Sequence, residues 1–489
     1  MLRRLFGLFL AMTFIAGLAA AEDGCYTIIV GKNASSDGYV LLGHNEDNAR
    51  KFVAGMWKVE RTEYAADEFV RLQSGGRIPQ VPATLSYWWL QMPELDYSDG
   101  LVNENGVAVV TNNCPSREDD PVLVDGGIGG PVLRRLVVER VKTAREGVEI
   151  LGGLIERFGY TASGRSMTIC DPDEGWVVAM VNGRHWIARR VPDDEVAMIA
   201  NTYTIRDVDL SDTKNFLGSP DIVDYAKKRG WYDPSSGTFS FEAAYADRKN
   251  RDASGNTHRQ WSGLNHVSAE PVPLPEEARL PFSVRPKEKL TVRHLTAVLR
   301  DHYEGTPYEK GAGYDTTPAH KRHTSTICAP QTNSSSVFQL RRGMPNDIGI
   351  VWWLALWQPC STPYVPIYFG LESAPGELGY SPDSGASCPF CVVSPEFGPM
   401  YQVMADLSAW VDEDYAARIG TVTKAWNELE TTSYAAQPAV EAAMKTRLVE
   451  HPDIARDILG RHVRGTISTA IDRARTMMSK TNDVHLEVK

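Results

Sequence analysis

The stretch from Cys25 to Asp47 constrains this chain more than any other. Tyr26 to Val30 and Tyr39 to Leu42 are β-branched, aromatic and aliphatic, the residues that suit a pleated, half-buried strand. Between them Asn33 to Gly38 is a cluster of turn formers. A hairpin folded about Ser36 brings Cys25, at the open end of the first arm, close to Asn45–Asp47 on the second. A thiol and a carboxylate then meet at one end of a sheet.

What precedes Cys25 reads as a removable segment. Arg3 and Arg4 open it, Leu5 to Leu18 is an apolar run, and Ala19-Ala20-Ala21 offers the small residues a signal peptidase needs. The run is short for a membrane span. We therefore expect residues 1–21 to be a signal peptide and Glu22-Asp23-Gly24 a short propeptide. With both removed, Cys25 carries a thiol and a free α-amino group. A thiol titrates near ~8.5 and an α-amine near ~7.7–8.0, so the amine can take the thiol proton and later return it to a leaving amine. Asp47 would orient the ammonium form. Two other readings of Cys25 exist. A lipoprotein would also process at a cysteine, but Glu22 and Asp23 spoil the small, apolar stretch it wants. A structural disulfide half is the second.

Composition narrows the class. Apolar residues are 43% and charged residues 23% of the 489, as in ordinary globular proteins. The net charge of −11, with no basic run and no zinc-finger spacing, excludes a nucleic-acid partner. No second apolar segment reaches spanning length, so no stable membrane insertion is expected after signal removal. The cysteines are Cys25, Cys114, Cys170, Cys328, Cys360, Cys388 and Cys391. Seven is odd, so at least one lacks an intrachain partner, and Cys25 is our candidate. Cys388-Pro-Phe-Cys391 lacks both a second pair and a βαβ context, and reads as a disulfide or two buried thiols. His320 and His323 have helical spacing but no carboxylate motif beside them, so no metal is expected, and no cofactor.

Along the chain, strands are expected at Phe52–Glu60, Ser86–Met92 and on both sides of Asn105-Gly106, a tight-turn dipeptide whose second arm ends in Asn112 and Asn113. Pro131–Arg145 and Ala144–Phe158 have helical periodicity, and Thr143-Ala-Arg-Glu146 is a capping box. Strands return at Ser166–Cys170, Trp176–Val181, His185–Val191 and Val196–Asn201. Residues 207–270 are mixed, with a helix at Ser219–Arg229 and polar loops around Arg248–Asn256. A helix at Thr291–Tyr303 precedes strands at Ser325–Ile327, Ser336–Leu340, Ile348–Trp357 and Tyr364–Phe369. From about Ser394 the pattern is helical: Met400–Ala417, Val422–Lys445 and Ile454–Thr476. This order predicts a layered α+β fold, with helices on both faces of largely antiparallel sheets. Trp88, Trp89, Trp352, Trp353 and Trp357 fit either a buried core or a peptide cleft.

Several segments together carry a family resemblance. They are Cys25-Tyr-Thr-Ile-Ile-Val-Gly-Lys, Gly43-His-Asn-Glu-Asp47, Asn103-Glu-Asn-Gly106, Lys142-Thr-Ala-Arg-Glu146, Asp171-Pro-Asp-Glu-Gly-Trp176, Val191-Pro-Asp-Asp-Glu195 with Ala200-Asn201, Leu299-Arg-Asp-His-Tyr-Glu-Gly-Thr306 and Tyr364-Val-Pro-Ile-Tyr368. By their number and order, from Cys25 to about Gly370, the chain resembles the cysteine dipeptidases of the dipeptidase A and secernin family. These are N-terminal nucleophile hydrolases with a four-layer αββα fold. The resemblance implies that Cys25, exposed by processing, attacks an amide carbonyl and passes through a thioester. Related bile-acid and penicillin amidases carry Arg-Asn-x-Asp where this chain has His44-Asn45-Glu46-Asp47. Asp47 matches the carboxylate that orients the amine, whereas His44 replaces an arginine. Asn201 matches an oxyanion donor, with Asn112 or Asn113 as the second. Arg259, in His-Arg-Gln-Trp261, matches a later active-site arginine. The ordinary alternatives are a strand-end cap for Asn201, turn roles for Asn112 and Asn113, a surface carboxylate for Asp47, a structural role for His44 and a surface ion pair for Arg259.

The expected organisation is a signal peptide (1–21), a propeptide (22–24), a catalytic domain (25–393) and a helical C-terminal region (394–489) packed on it. The expected function is an exported dipeptidase, periplasmic or secreted, acting on short peptides. An amidase for N-acyl amino acids and an inactive secreted binding protein on the same fold are the alternatives. A homo-oligomer is left open.

Overall fold

Alternation along one strand shows how the molecule is layered. In the computed structural model, Ala108 and Val110 of the Ala108–Asn113 strand join one hydrophobic cluster and Val109 joins another, as the two-residue period of a strand requires. The structure describes residues 24–48, 55–72, 74–92, 97–118, 120–310, 318–322, 325–379 and 398–484.

Two sheets stack face to face. The first runs Ser283–Val284, Val196–Ile199, Tyr26–Val30, Leu41–Asp47, Thr332–Leu340, Ile350–Leu356, Val365–Tyr368. The second runs Phe216–Gly218, Trp186–Arg190, Gly175–Gly183, Tyr160–Cys170, Ala108–Asn113, Tyr97–Asn103, Tyr87–Met92, Gly55–Val59. Every pairing within them is antiparallel. Helices Gly130–Val138 and Ala144–Phe158 cover the outer face of the second sheet. Ser254–Val267 and Val292–Leu299 cover the outer face of the first, and the C-terminal helices pack at its Val365–Tyr368 end. The layers are therefore αββα, the expected fold class.

Local signals behave as their chemistry demands. Gly106 supplies the positive φ of 78° at the Asn105-Gly106 turn. Glu146 N–H donates to Thr143 Oγ1 at 3.2 Å, capping the Ala144–Phe158 helix. Trp88, Trp89, Trp352, Trp353 and Trp357 are all buried in the core.

Several expected boundaries move. The second arm of the first hairpin extends to Leu41–Asp47, because strands on both sides satisfy the backbone of its polar end. Its register, Tyr26 opposite Asn45 and Thr27 opposite His44, is one residue tighter than a fold about Ser36. Ser325–Ile327 is not a strand; the Ile327 carbonyl instead accepts from Asn45 Nδ2 at 2.8 Å. The helix expected to reach Tyr303 ends at Leu299, and Tyr303 adopts φ 71° beyond it. The Ser254–Val267 helix, expected as polar loop and mixed sequence, hides its periodicity because Asn256, Arg259, Gln260 and Ser262 lie on its buried side.

The C-terminal breaks fall at Asp414 and His451, leaving one helix over Tyr415–Glu450 with Pro438 inside it. Arg300 and Arg341 anchor this helix through ion pairs with Glu430 and Glu441, both at 2.6 Å. Residues 380–397, which include the expected boundary at 393 and the Cys388–Cys391 pair, lie outside the described residues, as do residues 1–23 and His323.

Candidate active site

The site lies where the Tyr26–Val30 and Leu41–Asp47 strands end side by side. Strand alternation sends His44 and Glu46 one way, and Asn45 and Asp47 the other. Asn45 Nδ2 donates to the Leu299 and Ile327 carbonyls at 2.9 and 2.8 Å, tying down the outer helix and the following loop. Asp47 Oδ1 accepts from Thr332 Oγ1 at 2.6 Å across the next strand pair. Thr332 Oγ1 in turn accepts from Ala329 N–H at 2.9 Å.

Cys25 is buried, with Sγ 3.8 Å from the Asp47 carbonyl. Burial pushes its thiol well above the usual range, and Glu46 and Asp47 add to this; the Asp47 backbone contact and Arg165 pull the other way. The Gly24–Cys25 junction is tight: a Cβ on residue 24 would sit 2.8 Å from Asp47 Oδ2 and 3.0 Å from Gln331 Nε2. Asp47 thus lies against the position where removal of Gly24 would leave an amine.

Arg259 reaches the same junction from the Ser254–Val267 helix. One turn on, Gly263 lets this helix approach Tyr26 so closely that a Cβ would lie 1.9 Å from its hydroxyl. Arg259 Nη1 donates to the carbonyls of Gly24 and of Cys25, the latter at 3.2 Å. Its Nη2 donates to Asn201 Oδ1 and Asn256 Oδ1, both at 2.9 Å. Asn201 Nδ2 donates to the Asn113 carbonyl at 3.0 Å, and the Asn201 carbonyl accepts from Asn250 Nδ2 at 2.6 Å.

The other expected residues form an inner chain between the sheets. Asn112 Nδ2 donates to the Ile199 carbonyl at 3.2 Å, and its Oδ1 accepts from Thr27 Oγ1 at 2.6 Å. Because that uses the one Thr27 hydroxyl hydrogen, His44 Nδ1 donates to Thr27 Oγ1 at 2.8 Å. His44 Nε2 then meets Glu46 Oε2 at 3.0 Å. The Cys25, His44 and Glu46 donor atoms lie within 4.8 Å of one another. The structure thus brings Cys25, Asp47, Asn201 and Arg259 together at the strand ends and sets His44 beneath the thiol. Asn112 is held in the core network, and Asn113 offers its main-chain carbonyl.

Sequence reasoning missed several neighbours. Glu46 was visible inside the His44–Asp47 segment but had no assigned role. Thr332, Gln331 and Asn256 had no signal, since their positions depend on pairings across the fold. A second cluster was also missed: His302, His320, Cys328 and Cys360 place their donor atoms within 4.8 Å of one another, a set that could hold a metal. Its members come from separate segments, so no short spacing announces it.

Residues 24–428 match the sequence model of Peptidase family C69. A probable dipeptidase of Latilactobacillus sakei is 29% identical over 357 residues, covering 71% of this chain and 74% of that protein. Dipeptidase A of Lactobacillus helveticus is 26% identical over 368 residues, covering 72% and 77%. Among solved structures, penicillin V acylase from Agrobacterium tumefaciens is similar with a TM-score of 0.34 and 12% identity, covering 71% of this chain and 86% of that one. A mutant conjugated bile acid hydrolase from Clostridium perfringens gives 0.36 and 10%, covering 71% and 92%. At those scores the likeness adds nothing to the layering seen in the sheets themselves.

Proposed function

The chain belongs to Peptidase family C69, and we propose that it is an exported cysteine-type dipeptidase whose nucleophile is Cys25, made N-terminal by processing. The observation that carries this reading is the convergence of Asp47 and Arg259 on the Gly24–Cys25 junction. The dipeptidase names of the relatives support the substrate class. The Arg3–Ala21 leader supports export to the periplasm or medium.

The steps follow from the groups present. In the precursor, Arg259 polarises the Gly24 carbonyl beside the Cys25 thiol, which favours attack by the thiol on its own preceding peptide bond. A C–S bond forms to the Gly24 carbonyl carbon, the Gly24–Cys25 C–N bond breaks as the thiol proton passes to the departing Cys25 nitrogen, and water hydrolyses the resulting thioester, releasing the Gly24 carboxylate and restoring the thiol. In the mature enzyme that amine, oriented by Asp47, takes the thiol proton. The thiolate adds to the substrate carbonyl, and Asn201 donates to the oxyanion. The C–N bond breaks as the leaving amine receives the proton, and water then hydrolyses the thioester.

Intact mass and N-terminal sequencing of the exported protein test this directly, alongside Cys25→Ala. We expect wild-type protein to start at Cys25 and to cleave dipeptides faster than N-acyl amino acids. Cys25→Ala should retain Gly24 and lack turnover. Dipeptide hydrolysis by a protein that starts at Glu22, or by Cys25→Ala, overturns the mechanism. Preference for N-acyl amino acids would make it an amidase.

A further inference from the structure

We propose that His302, His320, Cys328 and Cys360 form a structural zinc site beside the catalytic strands, a site independent of the peptidase reading. The residues converge from four places: the turn after the Val292–Leu299 helix, the short Ala319–Arg322 helix, the loop before the Thr332–Leu340 strand, and the turn after the Ile350–Leu356 strand. Two thiolates and two imidazoles are a common structural zinc set, and two thiolate charges neutralise a divalent ion; His302 and Cys328 are buried, and His320 and Cys360 half-buried.

The geometry fits a tetrahedron. Zinc bonds of about 2.3 Å to sulfur and about 2.05 Å to nitrogen give sulfur–nitrogen edges of about 3.5 Å and nitrogen–nitrogen edges of about 3.3 Å. His320 Nε2 lies 3.5 Å from Cys328 Sγ and 3.8 Å from Cys360 Sγ, and 3.1 Å from His302 Nε2. The two thiols are in contact with each other, and His302 is in contact with Cys360.

An outer partner fits as well. His302 Nδ1 donates to Glu304 Oε1 at 2.9 Å, which aims Nε2 into the cluster and is the usual carboxylate–histidine arrangement behind a metal. A Cys328–Cys360 disulfide is the rival use of these thiols, but it leaves two imidazoles converging on the sulfurs without a purpose. Four protein ligands close the coordination sphere, so the ion would not bind substrate. Its task would be to pin the Cys328 loop. Cys328 N–H donates to the Asp301 carbonyl at 3.0 Å, and the same loop carries Ala329 and Thr332, the support of Asp47.

The test uses full-length protein purified without chelator, then dialysed against zinc chloride with a reductant. Elemental analysis should find one zinc per chain, and zinc-edge X-ray absorption should show two sulfurs at about 2.3 Å and two nitrogens at about 2.05 Å. Glu304→Gln, which leaves all four ligands in place, should weaken zinc retention against a competing chelator by about 10- to 100-fold. His302→Ala should lose the metal. A zinc-free protein after dialysis, a Cys328–Cys360 disulfide that persists in reductant, or bound zinc with no sulfur neighbour would each overturn the proposal. These readouts need no turnover, so they stand or fall apart from the Cys25 assignment.

Discussion

Cys25 and Cys328 are buried thiols beside one sheet, the latter in contact with the half-buried Cys360, and their neighbours give them opposite chemistry. Around Cys25 stand carboxylates, Asn201 and an arginine aimed at peptide carbonyls. Those groups can move a proton and hold an oxyanion. Around Cys328 stand a second thiol and two imidazoles, which are metal donors. Burial alone therefore does not assign a cysteine. What matters is whether its neighbours stabilise charge on a reacting group or share electrons with a fixed ion.

Three substitutions probe this contrast. Asn201→Ala should have the largest effect. If Asn201 is an oxyanion donor, kcat/KM should fall roughly 100- to 1000-fold, with zinc content unchanged. An unchanged kcat/KM would make Asn201 a strand-end cap. Thr332→Val acts where the two regions meet, since Thr332 Oγ1 touches both Ala329 and Asp47. Loss of its bond to a carboxylate should lower unfolding free energy by about 1.5–3 kcal/mol, measured by urea denaturation. A fall in turnover with zinc retained would assign Thr332 to the Cys25 side alone.

The smallest effect is expected at His266, which pairs with Asp301 at 3.0 Å beneath the Cys328 loop. The hydrogen bond to Asp301 raises its pKa, although burial opposes this. A histidine raised in the folded state stabilises fully below about 6.5, its unfolded value, and that stabilisation is lost as pH rises through the folded value. His266 is partly exposed, so solvent screens the pair and the effect is small. Melting temperatures followed from pH ~5 to pH ~9 should therefore show a shallower decline in His266→Gln than in wild type.

Much of the fold was legible because its signals are local. The Asn105-Gly106 turn, the Thr143 cap and the apolar stripe of Ala144–Phe158 each lie within a few residues. The Ser254–Val267 helix was not legible, because its buried face carries Asn256, Arg259, Gln260 and Ser262 in place of an apolar stripe. At the candidate site, Cys25 and Asp47 could be read from one hairpin. Arg259 was named only through resemblance, without the helix that delivers it.

Strand alternation and helical periodicity, both written in the residue order, were enough to set the layering and to pair Cys25 with the Asn45–Asp47 strand end. Nothing in that order announces that Asp47 rests on Thr332, that Arg259 reaches the Gly24 carbonyl, or that His302, His320, Cys328 and Cys360 share one pocket; those placements belong to the folded chain. The physical reason is range. Propensity, capping and turn chemistry act over a few residues, whereas these contacts join segments that meet only after the sheets have formed.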